Sequence, residues 1–223
     1  LSLDDAIREL EAAYHVFPER ALRFCQSQRE HAIPRLIEVL EHTVRVGQNG
    51  AVPEGNATIY ALFLLAEFQA AAAVPIIWQF LKLPHDIPDK LLGDAITEDL
   101  PRILAIFAGP RLDLLDELIL DPALNHWVRS AAVHACGYPV RDGLLSRQDA
   151  ILWLQKHLTE AIRRRDASLT DPLVNVLLDL NANEARPQIE LAFQEGLVDE
   201  EMVSLENVND ELSPDSPNEC NNP

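Results

Sequence analysis

Apolar positions recur along nearly the whole chain at spacings of three and four, the period of a helix. No stretch alternates apolar and polar residues as a half-buried strand does. Ser2-x-x-Asp5 reads as a capping box opening a first helix through about Ala13. Pro18 and Pro34 are expected to start the second and third helices, the third ending near Val46. Residues 47–55 (GQNGAVPEG) form a loop, and Asn56 is placed to cap the helix after it. The run over residues 59–66 is apolar all round, so neighbours must cover it on every side. Further helices are expected from about Val74, Pro88, Leu100, Pro110, Pro122, Ser146, Pro172 and Ala185. Asp121-Pro122 and Asp171-Pro172 each put an acidic cap before a first-turn proline. Ser146-x-x-Asp149 opens the longest helix, which ends in Arg163, Arg164 and Arg165, where cations suit the helix dipole.

Four segments share one design: residues 32–40, 73–81, 99–107 and 185–193. Each has a proline near its start and apolar residues two and six positions after it. That places Leu36/Leu40, Ile77/Leu81, Ile103/Phe107 and Ile189/Phe193 on one face of their helices. The proline spacings are 41, 26 and 86 residues. The first, and half of the last, are near the HEAT period of roughly 40–47, and the middle one is not. Val128-Arg-Ser-Ala-Ala132 resembles the V-R-x-x-A helix of HEAT units, whose small residues let two helices approach closely. Helix pairs of this kind cannot bury their apolar faces alone and must stack. The expected fold is therefore all-α: an α-α superhelix, a HEAT-like repeat solenoid over residues 1–212, with a disordered tail at 213–223. The competing reading is an irregular helical bundle whose prolines fall at these spacings by coincidence.

Composition narrows the function classes. The 223 residues are 48% hydrophobic, enough to build a core. The formal charge is −18, and ten of the 36 acidic residues follow Arg186, the last basic residue. The body is thus mildly acidic and the C-terminal region strongly so. Such a surface repels phosphate backbones and anionic membranes, which argues against both as main partners. Cys25, Cys136 and Cys220 stand apart, with neither a CxxC motif nor a disulfide framework, which fits a reducing, cytoplasmic setting. No apolar run is long enough to span a membrane. The visible start is amphipathic and acidic, unlike a signal peptide.

Three stretches read together with Val128-Arg-Ser-Ala-Ala132 resemble the bacterial family called domain of unknown function 1186. They are residues 59–68 (IYALFLLAEF), 91–105 (LLGDAITEDLPRILA) and 192–199 (AFQEGLVD). The resemblance covers roughly residues 3–212, and Gly-Asp-x-x-Thr-Glu-Asp is its most specific part. It implies a HEAT-like helical fold and carries no activity with it. Some similar proteins end in a short Cys-rich zinc motif. Only Cys220 lies near the end here, so that module is absent or cut off.

The strongest chemical constellation is Asp94, Thr97, Glu98, Asp99 and Arg102. Asp94 and Glu98 sit four apart, so one continuous helix puts both carboxylates on one face, an arrangement that favours a nearby cation. Arg102 is one candidate for it, and a hard divalent ion is another, although no full oxygen cage is visible. The plainer reading has Asp99 capping the next helix while Glu98 pairs with Arg102. Seven histidines are scattered, with no His-Glu pair and no HExxH; GxSxG, GxGxxG and Walker loops are absent too. Arg163–Arg165 with Lys156 and His157 is the main basic cluster, a helix end or a docking point for an acidic segment. Trp78, Trp127 and Trp153 are expected to pack, and any one exposed becomes a hot-spot candidate.

These features point to an interaction protein, an uncharacterised scaffold or adaptor with an unidentified protein partner and no cofactor. The segment from Asp94 to Asp99 with Arg102 is the expected binding site, and no catalytic or metal-ligating residue is assigned. The alternative is a metal-dependent enzyme using that same acidic segment.

Overall fold

The computed structural model describes residues 1–212 except His15, His85 and Met202, with the side chains of Asn207 and Glu211 also left aside. The tail expected over residues 213–223 lies outside the described residues. Every regular element described is helical: α1 (Leu3–Glu11), α2 (Glu19–Ser27), α3 (Arg29–Gly47), α4 (Ala57–Glu67), α5 (Val74–Leu81), α6 (Ile87–Leu92), α7 (Ala95–Glu98), α8 (Leu100–Ala108), α9 (Asp116–Ile119), α10 (His126–His134), α11 (Gly137–Arg141), α12 (Arg147–Arg164), α13 (Ala167–Asp179), α14 (Arg186–Gln194) and α15 (Leu205–Glu211). Three 3-10 turns precede α5, α9 and α14: Ala71–Ala73, Leu112–Leu114 and Asn183–Ala185.

Two of the expected caps form as the sequence indicates. Ser2 Oγ accepts from Asp5 N–H at 3.1 Å while Asp5 reaches back to Ser2 N–H, and Ser146 Oγ accepts from Asp149 N–H at 3.0 Å. Several boundaries differ from expectation. Pro34 lies inside α3, which begins at Arg29. Both Pro34 and Glu30, whose carbonyl loses its helical donor there, are exposed, so the missing bond falls on the solvent side and the helix continues. Pro172 likewise lies inside α13, and Asp171 accepts from Asp199 N–H at 2.9 Å instead of capping a helix. Asp121 accepts from Ala123 N–H in a turn, and the next helix waits until His126. Asn56 makes no cap; its Nδ2 donates to Ala13 O at 2.7 Å and ties the 48–56 loop to the end of α1.

The described chain divides into two compact units, residues 1–107 with 121–128 and residues 108–120 with 129–212. In the first, α1 packs on α2, α2 on α3, and α3 on both α4 and α5. Its core is built from Leu10, Leu36, Leu40, Leu62, Leu65, Ile77, Phe80 and Leu81, all fully buried. The apolar α4 is largely enclosed: Ala61, Leu62, Leu64, Leu65 and Ala66 are buried, Ile59 and Tyr60 are half-buried, and Phe63 is exposed. In the second unit α11 packs on α12, α12 on α13 and α14, and α13 on α15. Within each unit the helices pack on near neighbours along the chain, as in an α-solenoid.

The ends of α4 and α13 fold alike, residue for residue. Phe68 and Leu180 close the helices, and Gln69 and Asn181 turn to φ values of 49° and 51°. The N–H groups of Ala70 and Ala182 then donate back to Leu65 O at 3.0 Å and Leu177 O at 2.9 Å. A 3-10 turn follows in each case, then a helix with proline in its first turn, Pro75 or Pro187. Each of these positions recurs 112 residues later. A left-handed residue other than glycine costs about 1 kcal/mol or more, so its recurrence at matched positions marks one local design used twice. A further correspondence lies on the partner helix. Arg29 and Arg147, the first residues of α3 and α12, both donate to carbonyls at the C-terminal end of the helix that follows, Phe68 O for Arg29, and Leu180 O (2.8 Å) and Asn181 O (2.5 Å) for Arg147.

Candidate functional site

The repeated plan makes one difference visible. Along α3, Ile37, Glu41, Val44, Arg45 and Gln48 fall on one side of the helix, at offsets of four, seven, eight and eleven. Ala72, Pro75, Ile76 and Gln79 face them from the 3-10 turn and α5. Between the two rows runs an open groove of about 350 Å³. Its floor is apolar, with Val44 buried and Ile37 and Ile76 half-buried, and its lips are the exposed Glu41, Arg45, Gln48 and Gln79. Among the described residues neither Glu41 nor Arg45 forms an ion pair or side-chain hydrogen bond.

The equivalent seam of the second unit, between α12 and α14, is bridged. Counted from the helix-opening arginines, Gln155 stands where α3 has Ile37; counted from the prolines, Gln188 stands where α5 has Ile76. Gln155 Nε2 donates to Glu184 O at 2.9 Å and to Gln188 Oε1 at 3.1 Å. The counterpart of Arg45 is Arg163, which donates to Glu160 at 2.6 Å. The hydrogen bonds from Arg163 and then Arg164 hold the Glu160 carboxyl down at about 2 despite an opposing desolvation effect. On α3 the position of Glu160 is taken by His42, so Arg45 lacks that carboxylate. One seam is thus polar and bridged, the other apolar and open.

The acidic segment singled out in the sequence forms a single helical turn. Glu98 N–H donates to Asp94 O and Thr97 Oγ1 to the same oxygen at 3.0 Å, so Asp94 and Glu98 do share a turn. Asp94, Thr97, Glu98 and Arg102 are exposed and Asp99 is half-buried. Among the described residues no side-chain hydrogen bond or ion pair joins these five side chains, and Glu98 does not pair with Arg102. No group of three or more His, Cys, Asp or Glu side chains among the described residues is disposed to hold a metal ion.

Elsewhere, the polar groups that are buried act as braces. Arg129 is 3% exposed; it donates to Ile119 O at 3.1 Å, to both oxygens of Asp166 and to Ser168 Oγ. Burial pushes Asp166 up, but the bonds from Arg129 and Ser168 outweigh it and keep that carboxyl below its usual range. This gives the V-R-x-x-A arginine its role, tying α9 and the start of α13 together. Asp116 Oδ1 accepts from Trp153 Nε1 at 2.9 Å and pairs with the buried His157 Nε2 at 3.0 Å, while Lys156 lies 3.5 Å from its other oxygen. Burial lowers His157, against the opposing pull of Asp116. In the first unit Thr43 and Thr58 bond to each other at 2.8 Å beside a smaller cavity of about 270 Å³ that also touches Glu11, His42 and Glu54. Cys25 and Cys136 are buried free thiols, and burial pushes Cys136 up to about 12, far from a reactive thiolate. Of the tryptophans, Trp127 alone is largely exposed; Trp78 and Trp153 pack.

The basic run at the end of α12 is mostly spent on neighbours, with Arg163 and Arg164 on Glu160 and Arg165 on Glu195. The model of the family described as Protein of unknown function (DUF1186) matches residues 1–222. The chain belongs to that family. Among curated proteins, an uncharacterized protein of Chlamydia muridarum is 31% identical over 206 residues, spanning 92% of this chain and 82% of the relative. One from Chlamydia trachomatis serovar D is 30% identical over the same extent. No solved structure gives a significant match. No helix among the described residues is long and apolar enough to cross a membrane.

Sequence reasoning did not single out the groove. Its signal was a second stripe on α3, Ile37 and Val44 beside the core stripe of Leu36 and Leu40, too wide for one buried face.

Proposed function

We propose that this protein is an adaptor of HEAT-like build, working in the bacterial cytoplasm, that holds a protein partner in the α3/α5 groove. The observation that carries this reading is the pair of seams: where the second unit bridges its helices with Gln155 and Gln188, the first leaves Ile37 and Ile76 beside an open channel. Half-exposed aliphatic floor with polar lips is the composition of a protein-binding patch. The free, buried Cys25 and Cys136 fit a reducing compartment, and the strong negative charge favours a protein over a nucleic acid as partner. The acidic turn at Asp94, Thr97, Glu98, Asp99 and Arg102 is a second contact point in this reading, its exposed carboxylates available to a basic surface. Metal-dependent catalysis there has no supporting geometry, since the side chains do not gather around a common point.

The test is photo-crosslinking in cells that make the protein natively. Benzoylphenylalanine at Gln48 or Gln79, on the groove lips, is expected to capture one discrete partner that the same probe at Glu19 or Thr159 does not. Equal capture from all four positions, or none from the groove, counts against the proposal.

A further inference from the structure

We propose that the segment held by the α3/α5 groove is an amphipathic α-helix of the partner, with two aliphatic residues four apart and an acidic and a basic residue four apart beside them; this rests on the adaptor reading above. Charge is the first argument. Glu41 and Arg45 are separated by one helical turn on the groove lip and neither is paired among the described residues. In the second unit the corresponding pair is not free: Thr159 replaces Glu41, and Arg163 is taken up by Glu160. An acid and a base at i and i+4, within reach of each other along α3 and unpaired with the rest of the described chain, are both met by the opposite pair at the same spacing on a packed helix.

Backbone chemistry is the second argument. One wall of the groove is the side of α3 and the other is the 3-10 turn at Ala71–Ala73 with α5, so neither wall offers a strand edge. An extended peptide laid there finds no edge to pair with, and its own backbone is left dependent on water. A helix satisfies its backbone internally and offers only side chains. Dimensions agree. The α3 wall from Ile37 to Gln48 covers about three turns, roughly 16 Å at 1.5 Å per residue. Ile37 and Val44 are seven apart on it, the repeat at which knobs from a packed helix are received.

The experiment begins with the segment captured from Gln48, located by mass spectrometry and made as a synthetic peptide. It is expected to be helical when bound, by circular dichroism difference, and to carry the stated pattern. Arg45→Glu in the full chain should weaken its binding at least about tenfold, and reversing the acidic residue of the peptide to lysine should restore most of the loss. A bound peptide without helical signal, or affinity indifferent to Arg45→Glu, overturns the helix proposal and leaves the adaptor reading standing. Capture absent from every groove position overturns both.

Discussion

Helices α3 to α5 and α12 to α14 share a plan and treat their seams in opposite ways. Both open on an arginine that caps the next helix, both turn through a left-handed residue into a 3-10 turn, and both resume with proline. Among the side chains that differ at matched positions are two on the seam itself, isoleucine in one unit and glutamine in the other. The interior braces differ as well. The first unit buries a neutral Thr43–Thr58 pair, whereas the second buries Arg129 and His157 against half-buried aspartates. Common backbone geometry thus sets the architecture, and a few non-core positions decide whether a seam is bridged or left free to bind.

The comparison can be broken at its braces first. Arg129→Met strips Asp166 of its buried partner and is expected to cost about 3 kcal/mol in denaturant unfolding. A loss below 1 kcal/mol would mean the charged brace is not holding the second unit. Next comes Gly55→Ala in the loop that only the first unit has at this point. Gly55 sits at φ 85°, and a Cβ there meets Glu11 O at 2.5 Å, so about 2 kcal/mol should be lost. The capping arginines should rank by their bonds: about 2 kcal/mol for Arg147→Met and about 1 kcal/mol for Arg29→Met, read from the same unfolding curves. Equal values would undercut the claim that the two arginines do the same work to different extents.

Acid provides a finer separation. His157 is buried with its affinity for protons lowered, while the unfolded chain titrates near the ordinary 6.5. As pH falls through 6.5 the unfolded state takes up the proton first, so stability is lost on acidification and is fully present above that range. Asp166, held low, adds a second loss as pH falls below about 4. The first unit has no buried counterpart to either group among the described residues. Amide exchange between pH 7 and 5.5 should therefore loosen α9 and α12 before α3 and α4, and His157→Gln should remove that difference.

Much of the architecture was legible in the sequence. The helical period, the Ser2 and Ser146 caps and the enclosed α4 follow from local chemistry and survive in the structure. Proline was the less faithful guide. Pro34 and Pro172 look like helix starts, yet helix flanks on both sides carry through them, because packed apolar faces outweigh one missing hydrogen bond. Asp94 and Glu98 share a helical turn, as their spacing of four suggests, but the exposed side chains depend on nothing local to direct them toward a common point, and the Glu98–Arg102 pair does not form. The groove was hidden because it needs two helices at once. Ile37 and Ile76 are 39 residues apart, and only the contrast with Gln155 and Gln188 shows that their pairing is a choice.

Grafting the second unit's solution onto the first gives the most direct measurement. In Ile37→Gln/Ile76→Gln two amides stand at the positions that Gln155 and Gln188 occupy in the bridged seam. The variant is predicted to keep its Tm within about 4 °C of the parent, an effect on the order of 1 kcal/mol, and to lose capture of the partner from Gln48. Undiminished capture by a stably folded variant would contradict the assignment of the groove.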